Sequence, residues 1–105
     1  MIKSRWAGII EMDKVLADKR EEILRIAASH GARDVRVFGS RARGNATPKS
    51  DVDLLVTLPE NASLLVIVAI KQDLEDLLGC KVDVVTEDAI SPYIRDEVLN
   101  GAVTL

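Results

Sequence analysis

The sequence contains little cysteine and few aromatic residues. Among its 105 residues, Cys80 is the only cysteine, and the aromatic residues are Trp6, Phe38 and Tyr93. A single cysteine cannot form an internal disulfide, so nothing in the chain requires an oxidising compartment. We expect Cys80 to be buried as a small apolar side chain. With so few aromatic rings, the core must be built from aliphatic side chains.

Long hydrophobic runs and an excess of one charge are also missing. The longest apolar run, residues 64–70, is far shorter than the roughly 20 residues of a membrane-spanning helix. Lys3 and Arg5 interrupt the N-terminal segment, where a signal peptide needs an apolar stretch. We therefore expect a cytoplasmic protein without a membrane partner. The net charge of −3 argues against direct nucleic-acid binding, which usually requires a basic protein.

The composition that remains is that of a globular domain. Apolar residues make up 48% of the chain and charged residues 30%, well outside the range of disordered proteins. A chain of this length can bury one core of modest size. We therefore expect a single domain over residues 1–105, with residues 1–12 as an N-terminal extension of unassigned role.

Helical and strand patterns alternate along the chain. The patterns predict helices over 13–30, 63–78 and 92–100, a helical turn over 40–43, strands over 34–38, 51–58 and 81–86, and a closing strand over 103–105. Pro92 is expected in the first turn of the last helix, directly after Ser91. This alternation predicts an α/β (α+β) fold, in which helices flank a mixed central sheet and the first three strands are neighbours.

Acidic residues stand in two of the predicted strands. Asp51 and Asp53 are two residues apart, so they point to one face, while Val52 and Leu54 point to the core. Adjacent carboxylates repel each other, and a cation between them offsets that cost. Mg²⁺ prefers such oxygen ligands. Asp83 interrupts the third strand in the same way, and if these strands pair, the three carboxylates can hold two divalent ions for phosphoryl transfer.

The segment between the first two strands has the features of a phosphate site. Gly39 permits a close approach of the backbone to a ligand, and a helical turn that starts at Ser40 offers free N–H groups to an anion. Arg41 and Arg43 supply positive charge for a polyphosphate, although helix geometry lets only one of them face it. Each feature alone also fits an ordinary turn or a solvated strand end. Their combination indicates a site for a metal–nucleotide complex.

This combination resembles a known superfamily. The segments "FGSRARG" and "SDVDLLV", followed by a strand that carries Asp83, are similar to the nucleotidyltransferases related to DNA polymerase β. Within that superfamily they look like the minimal nucleotidyltransferases, which are usually paired with a HEPN-domain ribonuclease in a toxin–antitoxin system. The resemblance covers about Val35 to Val85 and implies the polymerase β-like nucleotidyltransferase fold.

The resemblance implies a role for each matching residue. Gly39 and Ser40 would hold the triphosphate of ATP. Asp51 and Asp53 would bind two magnesium ions, and Asp83 would ligate the ion that activates the acceptor hydroxyl. The implied reaction transfers AMP from ATP to a hydroxyl, expected to be a tyrosine of the HEPN toxin, and releases pyrophosphate.

Two alternatives to this enzyme stay open. The chain could be a non-catalytic antitoxin that blocks the toxin by direct binding, or a small-molecule nucleotidyltransferase.

The helix predicted over 63–78 is apolar on all sides in its first half, which leaves one face without a partner in so small a domain. That face is either covered by the N-terminal segment or forms an interface with a toxin or a second copy of this chain.

Overall fold

The computed structural model describes residues 13–43, 47 and 50–105, and only the backbone of Arg43. The predicted extension at 1–12 and residues 44–46, 48 and 49, between the predicted helical turn and the second strand, lie outside the described residues. The elements follow in chain order as α1 (Lys14–Ser29), β1 (Arg33–Phe38), α2 (Ser40–Arg43), β2 (Val52–Thr57), α3 (Leu64–Leu78), β3 (Val82–Val85), a 3-10 helix (Glu87–Ala89), α4 (Arg95–Gly101) and β4 (Val103–Thr104).

Four strands form one mixed sheet in the order β3-β2-β1-β4. Strand β1 pairs antiparallel with β2 on one side and with β4 on the other, whereas β2 and β3 run parallel. The α/β class, the mixed sheet with flanking helices and the neighbourhood of the first three strands are therefore confirmed. No helix in the described part of the chain is long and apolar enough to cross a membrane.

The core lies on one face of the sheet, beneath α1 and α3. Alternate residues of β2 point to this face, and Val52 and Leu54 are fully buried there, as predicted. They pack with side chains of the two helices, among them Leu16, Ile23 and Leu74. The alternate positions therefore stand on the opposite face of the sheet, and these are the positions that carry the acidic residues.

Capping residues mark the start of α1 and the end of α3. The Asp13 carboxylate accepts the backbone N–H of Leu16 at 3.1 Å, which satisfies a free donor in the first turn of α1. Helix α3 ends at Gly79, which adopts a left-handed conformation and donates its N–H to the carbonyl of Glu75. The two helices contact each other, α1 also contacts β1, and α3 contacts β3.

The last helix begins later than the sequence predicts. The sequence predicts a start at Ser91-Pro92, but α4 starts at Arg95. The Ser91 hydroxyl accepts the N–H of Tyr93 at 3.4 Å, and its carbonyl accepts the N–H of Ile94 at 3.1 Å. Serine competes in this way with the helical pattern, so these residues form a turn before the helix.

Candidate active site

The site begins with two aspartates on neighbouring strands. Asp53 of β2 and Asp83 of β3 are partners in the parallel register, so both side chains project from the face of the sheet opposite the core. Asp53 is half-buried, and the Asp83 side chain is 44% exposed. We predicted that carboxylates would lie together if these strands pair. The strands do pair, and the pairing places Asp53 beside Asp83.

Asp51 is placed differently from this pair. It lies directly before β2 and is exposed. Within the described ranges, no three His, Cys, Asp or Glu side chains are close enough together to hold a metal ion, so the three aspartates do not form one cluster. Mg²⁺ in proteins is commonly held by one or two carboxylates, with substrate phosphates and water as its other ligands. The chemistry of the Asp53–Asp83 pair fits such an ion, and the role of Asp51 stays a prediction.

Gly39 links the predicted phosphate segment to the aspartates. It follows Phe38, which is the antiparallel partner of Asp53, and its φ of +75° belongs to the left-handed region that favours glycine. A Cβ atom at this position would lie 3.3 Å from Cγ of Asp53, and closer still to one of the carboxylate oxygens. A side chain at position 39 would therefore collide with the acidic site. Backbone shape and space both require glycine here.

Ser40 begins α2 immediately after this glycine. Because Gly39 touches the Asp53 carboxylate, the start of α2 lies beside the aspartate pair. The structure thus brings together the glycine–serine segment and the aspartates that the sequence singled out separately. The contact of Ser40 with a triphosphate stays a prediction.

Arg41 lies in the interior of the protein. The side chain is 1% exposed, and Nη1 donates to the Asp13 carboxylate at 2.8 Å. Nε and Nη2 both donate to the carbonyl of Ser50, at 3.2 and 2.8 Å. These contacts fasten α2 to the start of α1 and to the segment before β2, and they argue against the predicted phosphate contact of Arg41. The side chain of Arg43 lies outside the described residues, so its contact with a polyphosphate stays a prediction.

A lysine and a glutamate beside Asp83 were missed by the sequence analysis. On α3, Lys71 Nζ donates to the carbonyl of Val82 at 2.7 Å and to the Glu75 carboxylate at 3.2 Å, and it lies 3.8 Å from Oδ1 of Asp83. The same Glu75 oxygen accepts the N–H of Val82 at 3.0 Å. This hydrogen bond and the adjacent Lys71 ammonium hold the pKa of Glu75 below its ordinary value of 4.5. The two side chains together bind the outer edge of β3.

Comparison with known proteins agrees with this geometry. A family model described as a nucleotidyltransferase domain matches residues 20–105, which include both aspartates and Gly39. The chain belongs to this nucleotidyltransferase family. The predicted resemblance to the superfamily is thereby confirmed.

Two relatives of this nucleotidyltransferase are named protein adenylyltransferases. A protein of Methanocaldococcus jannaschii named "Putative protein adenylyltransferase" is 42% identical over 84 residues, which cover 80% of this chain and 90% of that protein. The protein adenylyltransferase MntA of Thermococcus cleftensis is 37% identical over 93 residues, 89% of this chain and 91% of its own length. The similarity thus extends over nearly the whole of each relative.

Solved structures share the nucleotidyltransferase fold. One described as a "putative minimal nucleotidyltransferase" has 47% identity and a TM-score of 0.78, covering 88% of this chain and 94% of its own. A toxin–antitoxin crystallised with AMP-PNP has 20% identity and a TM-score of 0.67, covering 78% of this chain and 68% of its own. At the lower identity the likeness concerns the fold alone.

Proposed function

We propose that this nucleotidyltransferase is a protein adenylyltransferase that transfers AMP from ATP to a hydroxyl of a partner protein. The observation that carries the proposal is the pairing of Asp53 with Asp83 on one sheet face, with Gly39 against the Asp53 carboxylate. Two relatives more than 30% identical, each covered over nearly its whole length, are named as protein adenylyltransferases, which supports a protein as the acceptor. We further propose that this acceptor is a HEPN-type toxin, modified on a tyrosine.

The segment at the start of α2 is proposed to bind the triphosphate of ATP. Gly39 lets the backbone lie against the Asp53 carboxylate, because its Cα carries no side chain, and so sets the start of α2 beside that aspartate. Ser40 adds a hydroxyl donor directly beside it. Phosphates bound there lie next to the aspartates, where their charge requires compensation by cations.

We propose that Asp53 and Asp83 hold magnesium together with the triphosphate, and that Asp51, which lies outside this pair, moves toward it to complete a two-ion site. When bound, these ions supply the charge that stabilises both the attacking oxygen and the leaving pyrophosphate in an in-line displacement. The acceptor oxygen forms a bond to the α-phosphorus, and the bond to the β-phosphate oxygen breaks. Asp83, whose carboxylate is partly exposed, accepts the proton that the acceptor hydroxyl loses.

The partner surface is proposed to lie on the first half of α3. Leu64 and Leu65 are 79% and 76% exposed, and Val68 is 45% exposed, although all three are apolar. Exposed apolar side chains grouped on one helix are typical of protein contact sites. This observation also favours the second candidate, in which the protein inhibits the toxin by contact alone.

The experiment that separates the two candidates measures covalent transfer. The protein is incubated with labelled ATP, Mg²⁺ and the product of the adjacent gene, and both proteins are analysed by mass spectrometry. The enzyme is expected to leave the mass of one or more AMP groups on a tyrosine of the partner, and none when Mg²⁺ is chelated. A partner that binds without gaining mass would support the contact inhibitor instead.

A further inference from the structure

Lys71 occupies a fixed position beside the proposed metal site. Its ammonium group donates to the Val82 carbonyl at 2.7 Å and to Glu75 at 3.2 Å, so two of its three N–H donors are engaged by acceptors other than Asp83. Glu75 is itself held by the N–H of Val82. The ammonium group is thus anchored to the edge of β3 and keeps its place when the Asp83 side chain changes its partner.

The anchored charge faces one of the proposed metal ligands. Lys71 Nζ lies 3.8 Å from Oδ1 of Asp83. A divalent cation bound to this carboxylate would stand within a few ångströms of a fixed positive charge. Like charges at that range repel, and solvent weakens the repulsion without removing it, because both side chains are only partly exposed.

We infer that Lys71 makes metal binding at Asp83 depend on the nucleotide. The inference rests on the proposed metal site and concerns a residue that acts through Asp83, so Lys71 is a positioning residue. Without nucleotide, the ammonium group opposes the cation. When a triphosphate is present, its negative charge offsets the ammonium charge, and metal and nucleotide bind together. By linkage, the metal strengthens nucleotide binding by the same factor.

The test measures metal affinity directly and does not require turnover. Mn²⁺ binding is titrated by electron paramagnetic resonance for the native protein, Lys71→Met and Lys71→Arg, each with and without the ATP analogue AMP-PNP. Lys71→Met is expected to bind Mn²⁺ roughly fivefold more tightly without nucleotide. The repulsion between partly exposed charges at this distance is modest, and it is twice as large for a divalent ion as for a monovalent one. AMP-PNP should then raise the affinity by a smaller factor than in the native protein, whereas Lys71→Arg keeps the native behaviour.

Glu75→Gln provides a variant with the opposite expected sign. Glutamine keeps an oxygen acceptor for the Val82 N–H but removes the negative charge that partly neutralises Lys71. Mn²⁺ binding without nucleotide should therefore become weaker. The tighter binding expected for Lys71→Met is a result that loss of structure could not imitate. Lys14→Met, which removes an exposed lysine from the first turn of α1, should bind like the native protein.

The outcomes separate this inference from the proposed function. If the native protein binds no Mn²⁺ even with AMP-PNP, the proposed metal site itself is wrong. If the native protein binds Mn²⁺ but Lys71→Met binds it equally or more weakly, or Glu75→Gln binds it more tightly, the metal site stands and the role of Lys71 is refuted.

Discussion

Gly39 is the residue at which the backbone conformation and the chemistry of the site depend on each other. Its φ is +75°, and a Cβ atom there would collide with the Asp53 carboxylate. Gly39→Ala should destabilise the fold by about 1–2 kcal/mol through the left-handed backbone alone. It should also abolish Mg²⁺-dependent ATP binding, because the methyl group displaces Asp53. Urea denaturation and calorimetric titration with ATP measure the two effects.

Gly79 supplies a matched control for this substitution. Its φ is +69°, and among the described residues no heavy atom beyond its chain neighbours and its own helix backbone lies within 4 Å of a Cβ built on it. Gly79→Ala should therefore carry a similar backbone cost without any effect on ATP binding. Equal ATP affinities in the two variants would show that the contact between Gly39 and Asp53 has no part in the site.

Arg41 provides a second prediction at the residue scale. Its guanidinium group is buried against the Asp13 carboxylate, which is itself 5% exposed. Arg41→Met leaves that carboxylate buried without its cation, so unfolding should become easier by about 3–5 kcal/mol. Arg25→Met, on an exposed position of α1, should change stability by less than about 0.5 kcal/mol. A stable Arg41→Met protein that no longer binds ATP would instead support the phosphate contact predicted from sequence.

The edge of β3 is held by side chains of α3, which makes its stability depend on pH. The pKa of Glu75 lies below 4.5 in the folded protein, chiefly because its carboxylate accepts the Val82 N–H. A lowered pKa means that the contribution is fully present above 4.5 and is lost as the pH falls through the folded-state value. Glu75→Gln should lack this contribution.

Denaturation of the native protein and Glu75→Gln at a series of pH values measures it. The stability difference between the two should be largest near neutral pH and should shrink below 4.5. The other carboxyl groups titrate in both proteins and cancel in this difference. A difference that stays constant across the series would mean that the Glu75 charge does not stabilise the edge.

The exposed half of α3 yields a prediction about the partner. Val68→Asp places a charge among Leu64 and Leu65, which should weaken the proposed toxin contact strongly, because burying an unpaired carboxylate in an apolar interface is costly. Folding should be little affected, since Val68 is 45% exposed. Co-purification of the two proteins measures the contact, and Ala28→Asp on α1 is the control. Retention of the partner by Val68→Asp would place the interface elsewhere.

At the scale of the whole molecule, the sequence was most informative where local patterns determine structure. Alternating apolar residues identify the strands, and a carboxylate that interrupts such a pattern identifies Asp53 and Asp83 as side chains on the face opposite the core. The order of elements follows from the same patterns. These features depend on residues close together in the chain.

Contacts between distant segments could not be predicted in the same way. The sequence shows that position 41 is positively charged. It does not show whether Arg41 faces a ligand or Asp13, because that depends on how α2 packs against the start of α1. The spacing of Lys71 and Glu75 indicates a helical ion pair, and only the packing of α3 on β3 brings it to Asp83. The late start of α4 reflects the hydrogen bonds of Ser91, which compete with an otherwise helical pattern.

The most direct test of the proposed enzyme compares the native protein with Asp53→Asn in the presence of its partner. Asp53 lies in the acidic site, away from the apolar positions on α3, so the variant should still co-purify with the toxin. It should leave the toxin tyrosine unmodified, and the toxin should be active as a ribonuclease once the two are separated. The native protein should yield an AMP-modified, inactive toxin. If Asp53→Asn protects cells from the toxin as well as the native protein does, AMP transfer is not the basis of its function.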